Sequence, residues 1–136
     1  MDEMIKQEAQ EERSTLDLLL SAKVPNLAEK RERALYEVKR VSELTGAPAI
    51  FELEALPYGR VQELKRLSND VEVQILLAGC VSPDLKSEAL RKKFGGVTPA
   101  DTVKNMLSSG EIADLSQAVE RLCGYRQMTI KQVKNA

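Results

Sequence analysis

From Pro57 to Gly124 the sequence is cut repeatedly by helix start and stop signals, and this punctuation limits it to a set of short helices. Pro57 suits a first helical position. Behind it Val61, Leu64 and Leu67 form an apolar stripe, with Glu63 and Arg66 on the polar side. Pro83-Asp84 starts a turn. Ser87 to Phe94 predicts a short helix stopped by Gly95-Gly96, where glycine takes a left-handed cap without steric cost. Thr98-Pro99 sets an N-cap and a first-turn proline ahead of Val103, Met106 and Leu107. Ser108-Ser109-Gly110-Glu111 has capping-box spacing. The helix it opens carries Ile112, Leu115, Val119 and Leu122 on one face, a core stripe, and ends at Gly124. The tail TIKQVKNA has room for one more turn.

The N-terminal part reads differently. Residues 1–13 are charged and polar, a frayed arm or the first turns of an exposed helix. Ser14 or Thr15 ahead of Asp17 and a leucine run predicts a short helix ending before Pro25. Residues 26–33 are a charged connector. Leu35, Glu37, Lys39 and Val41 then alternate with Tyr36, Val38 and Arg40. Beyond Thr45-Gly46-Ala47-Pro48, Phe51, Leu53 and Ala55 alternate with Glu52 and Glu54. Alternation on both sides of a Gly/Pro turn predicts a β-hairpin near residues 34–56. Residues 71–81 are ambiguous. Val71, Val73 and Ile75 alternate like a strand, while the apolar run Ile75 to Ala78 fits a buried helix equally well. The expected fold is mainly α with a small β-hairpin, an α+β class. Residues 1–33 form a flexible arm with a short helix, and residues 34–136 a single compact helical domain. A chain of 136 residues buries roughly two thirds of its unfolded surface, enough to fold without disulfides or metals.

The composition removes most chemistry. The absence of histidine excludes His-based acid/base catalysis, Ser-His-Asp and Cys-His arrangements and His-containing zinc sites. Cys80 and Cys123 sit in apolar contexts, far apart in sequence. They read as small hydrophobes in a reducing compartment, and a disulfide between them has no support. No phosphate loop surrounds Gly95-Gly96. A net charge of −1 gives no attraction to nucleic acid or an anionic membrane. Residues 99–107 and 111–123 have helix-turn-helix spacing, but the second helix starts Glu111-Ile112-Ala113-Asp114, whose carboxylates repel phosphate. Lys86, Arg91, Lys92 and Lys93 form a basic cluster that reads as a solvated helix end. The N-terminus lacks the basic and apolar regions of a signal peptide, and no apolar run is long enough to span a bilayer. No catalytic, cofactor or metal residue is expected. The work left is protein binding.

Three segments carry a resemblance: ALPYGRVQELKRL (55–67), LLAGCVSPDLKSEALRKKFGGVTPADTVKNML (76–107) and SGEIADLSQAVERLCGY (109–125). In this order and spacing they resemble the XkdN-like tail assembly chaperones of long-tailed phages and phage-derived tail particles, over roughly residues 34–135. The most specific pieces are V-x-P-D-L-K at 81–86, the run from Gly95 to Lys104 and the run from Gly110 to Tyr125. The resemblance implies a helical reading of 71–81 and no catalytic residues. It implies a chaperone that binds the long tape-measure protein and holds it soluble and extended until tail-tube subunits polymerise around it. Such a protein works in the bacterial host cytoplasm and is absent from the mature tail. Further implied partners are the tail tube protein and a frameshifted longer form of the chain itself, since Lys134-Asn135 can be encoded as a slippery heptamer; a weak homo-oligomer is a third. Nucleic acid and membrane are not expected partners. The candidate partner-binding residues are the leucines Leu16, Leu18, Leu19 and Leu20 and the hairpin residues Tyr36, Val38, Phe51 and Leu53, unless these complete the core. A structural completion or connector protein retained in the tail is the alternative.

Overall fold

A computed structural model describes residues 13–134. The charged arm expected over residues 1–13 therefore lies outside the described residues but for Arg13, as does Asn135 of the Lys134-Asn135 pair. The chain divides into two units, Met1–Lys30 and Arg31–Ala136.

In the first unit, helix α1 spans Thr15–Leu19. Ser14 caps it, its hydroxyl accepting from the Asp17 N–H at 3.1 Å. The helix ends before Pro25, and beyond it the Asn26 side chain holds a turn by accepting from the Ala28 N–H. α1 has no buried residue.

The second unit is α+β. Its elements are β1 (Arg33–Glu37), α2 (Lys39–Thr45), β2 (Ile50–Glu54), α3 (Arg60–Leu67), α4 (Val71–Gly79), β3 (Cys80–Ser82), α5 (Glu88–Phe94), α6 (Pro99–Met106) and α7 (Ser109–Leu122). The three strands form one antiparallel sheet in the order β1-β2-β3. β1 and β2 pair from Arg33 opposite Glu54 to Glu37 opposite Ile50.

Three sequence expectations are corrected here. The first strand does not run through Val41: it stops at Glu37, and α2 fills the connection that the alternation marked as strand and turn. Helical spacing brings Val38 and Val41 to the core side together. Ser42 accepts from the Ala49 N–H at 2.8 Å, and Gly46 closes α2 in the left-handed conformation, φ 74°. Next, Pro57 precedes α3 rather than starting it. The Arg60 N–H donates to Pro57 O in a turn, and Gly59, at φ 82°, leads into the helix. Leu67 leaves the apolar stripe, which consists of Val61 and Leu64. Finally, the helical reading of 71–81 that the resemblance implies holds only as far as Gly79, where α4 ends; Cys80 pairs with Leu53 in a third strand.

The cap signals are realised where they were read. Thr98 and Asp101 form one reciprocal capping box, Ser108 and Glu111 another, and Gly95 closes α5 at φ 79°. The core joins the inner sheet face (Phe51, Leu53) to α4 (Val73, Ile75, Leu76), α6 (Val103) and α7 (Ile112, Leu115, Val119). α4 and α7 cross at Gly79. A Cβ there would stand 2.7 Å from both methyls of Val119, so only glycine lets the helices approach this closely.

Candidate partner-binding surfaces

The eight candidate residues fall into two groups. Leu16, Leu18, Leu19 and Leu20 are all exposed, and Val24 and Leu27 extend the same apolar segment. α1 is five residues long, too short to be stable by its own hydrogen bonds. Six large apolar side chains thus stand in solvent within twelve residues, which is more than scattered surface leucines explain.

Val38, Phe51 and Leu53 are buried in the core, and Tyr36 packs partly against it. Val38, Phe51 and Leu53 thus complete the core, the alternative the sequence left open, while Tyr36 stays partly exposed. The strands place Leu35 and Ile50 outward instead. Adjacent apolar pairs, Leu35-Tyr36 and Ile50-Phe51, straddle the two faces, so alternation alone did not select the outer one. Sequence reasoning also passed over Val24 and Leu27, beside and within the charged connector respectively, and Met128, Ile130 and Val133, which are exposed in an irregular tail.

Among the described residues the charge contacts serve to fix elements. Arg40 of α2 grips Glu111 of α7 through two N–H groups, at 3.0 and 2.9 Å, and donates to Met106 O at 3.0 Å. The Arg40 contact, with help from the Ser108 N–H and hydroxyl, holds the Glu111 carboxyl below its ordinary range. Glu120 of α7 is buried between Lys65 and Arg126, each 2.8 Å from one carboxylate oxygen. Burial pushes its carboxyl up, but the two cations more than offset this and hold it low. Burial pushes the Cys80 thiol up to about 11 and raises Cys123 as well, so neither is a ready nucleophile at neutral pH. Cys123 Sγ accepts from the Leu56 N–H, and Cys80 donates to Pro83 O. Among the described residues no cluster of acidic and cysteine side chains could hold a metal ion. A shallow depression beside α3, lined by Gly59, Gln62, Glu63, Lys65 and Arg66, is open and polar. Arg91 of the basic cluster is paired with Glu88 at 2.9 Å. No helix of the described residues is long and apolar enough to cross a membrane.

The family model of the phage XkdN-like tail assembly chaperone protein matches residues 16–136. The match begins at Leu16 and so takes in the exposed leucine segment. The crystal structure of the protein yqbn has a similar fold, with a TM-score of 0.58 and 21% identity, over 79% of this chain and 94% of that one. Compared with curated proteins, the chain finds no match.

Proposed function

The chain belongs to the phage XkdN-like tail assembly chaperone family, and on that premise we propose that it binds the tape-measure protein of a phage or prophage tail and keeps it soluble until the tail tube polymerises around it. The observation that carries this reading is the segment Leu16 to Leu27, whose apolar side chains have no core of their own. A tape measure of the kind this family serves is a long amphipathic helical chain that aggregates alone. Short apolar helices can lie along its apolar stripe, or accept it in a groove, at modest affinity per site. Many copies along one chain supply the total stabilisation, and each copy remains weak enough for polymerising tube to displace.

Co-expression with the tape-measure protein, followed by fractionation and pull-down at low and high salt, tests this. The expected result is a soluble tape measure and a complex that survives high salt, because apolar contacts are little screened. Equal solubility with and without this chain, and no complex, overturns the reading. The proposal places the chain in the host cytoplasm and outside the finished tail. Its stoichiometric presence in purified tails, seen by mass spectrometry, would favour a retained completion or connector protein. A longer form made by frameshifting at Lys134-Asn135 belongs to the same proposal, and the nucleotide sequence there decides it.

A further inference from the structure

Among the described residues no strand pairs with β1 on its outer side, and that edge is self-complementary. The Val38 N–H donates to Ala49 O at 3.0 Å, and the Ala55 N–H to Glu32 O at 2.8 Å. The even-numbered residues of this stretch are therefore the ones hydrogen-bonded to β2. Arg33, Leu35 and Glu37 turn their N–H and C=O groups to the open edge. Their side chains share the outer sheet face with Ile50 and Glu52, and Leu35 is 67% exposed. Charge is laid out symmetrically about Leu35, with Arg33 two residues before it and Glu37 two after. Arg33 contacts Glu52 at 3.2 Å and Glu54 at 3.6 Å, whereas Glu37 makes no ion pair with any described residue.

We infer that two copies of the chain join edge to edge through antiparallel β1 strands, with Leu35 opposite Leu35 and each copy's Arg33 opposite the other's Glu37. This register exchanges about six backbone hydrogen bonds, two for each of three residue pairs. It gives Glu37 a cation and covers both copies of Leu35. A parallel arrangement sets Arg33 against Arg33, and a two-residue slip sets Arg33 against Leu35, so charge selects the one register. The contact covers few side chains, so the dimer is weak and forms as concentration rises. The inference rests on the sheet edge and stands apart from the tape-measure reading.

Sedimentation equilibrium of the full chain up to millimolar concentration, with charge-swap variants, tests it. The wild type is expected to approach twice the monomer mass. Glu37→Arg and Arg33→Glu each turn two attractive pairs into repulsive ones and should raise the dissociation constant by roughly tenfold or more. An equimolar mixture of the two variants restores both pairs and should recover the dimer. Arg33→Glu also removes contacts to Glu52 and Glu54, so cross-linking provides a readout that leaves the strand's charges in place. Leu35→Cys should form a covalent dimer under mild oxidation, because Cα atoms of such a pair stand about 5.5 Å apart. Leu44→Cys, at an equally exposed site on α2, and the wild type should not. A wild type that stays monomeric, variants that dimerise as it does, a mixture that fails to recover, or Leu35→Cys no faster than Leu44→Cys each overturns the inference.

Discussion

Glu120 is 2% exposed and carries its charge between Lys65, which belongs to α3, and Arg126, which follows α7. Because its folded carboxyl titrates below the ordinary value of 4.5, its charge stabilises the fold above that value, and the contribution is lost as pH falls through the folded value. Glu120→Gln is expected to cost about 1–3 kcal/mol at neutral pH, tempered because both cations are half exposed. Thermal melting at pH 7 and pH 3 checks this: the gap between wild type and variant should shrink in acid, and an unchanged gap refutes the assignment. Leu115 and Val119, read from the sequence as a core stripe, are both buried. Leu115→Ala should cost about 2–5 kcal/mol and Val119→Ala about 1–3 kcal/mol, measured as denaturant midpoints at constant slope.

At the scale of elements, the crossing of α4 and α7 is a close-packed joint. Gly79 has an ordinary negative-φ backbone, so space and not conformation restricts it. Its Cβ would also lie 3.1 Å from Glu54 O, which ties the joint to the sheet. Gly79→Ala is expected to destabilise by about 1–3 kcal/mol through overpacking. Adding Val119→Ala should return part of that loss. A double variant whose loss is the simple sum of the two single losses would show that the methyls do not meet. The Arg40–Glu111 contact performs a similar service for α2, fastening it to the capping box that opens α7.

At the scale of the molecule, the apolar segment around α1 and the packed second unit divide their tasks under the proposed function. Replacing Leu16, Leu18, Leu19 and Leu20 together by serine should leave the melting transition of the second unit within about 0.5 kcal/mol of wild type, because these side chains are exposed. The same variant should lose tape-measure solubilisation in the co-expression assay. A variant that keeps full solubilisation would move the binding surface elsewhere.

The sequence by itself determined where helices start and stop from Ser87 onward. Caps at Thr98 and Ser108 and glycines at 95 and 124 act through bonds and dihedrals within a few residues, so neighbouring letters suffice. A strand at 50–54 joined to one starting near residue 34, and the stripe of Ile112, Leu115 and Val119, were legible for a like reason: each side chain's face follows from local period. Only the tertiary structure decided the rest. Lys39 to Thr45 became a helix because Ser42 and Arg40 found partners at Ala49 and Glu111, the second far away in sequence. The run from Ile75 to Val81 is apolar on every side, so no period marks the point where α4 ends. The close approach to Val119 and the free edge of β2 place the change at Gly79-Cys80. The candidate surface was half legible for the same reason: the sequence supplies apolar side chains, but which of them are left in solvent depends on what else the fold packs against them.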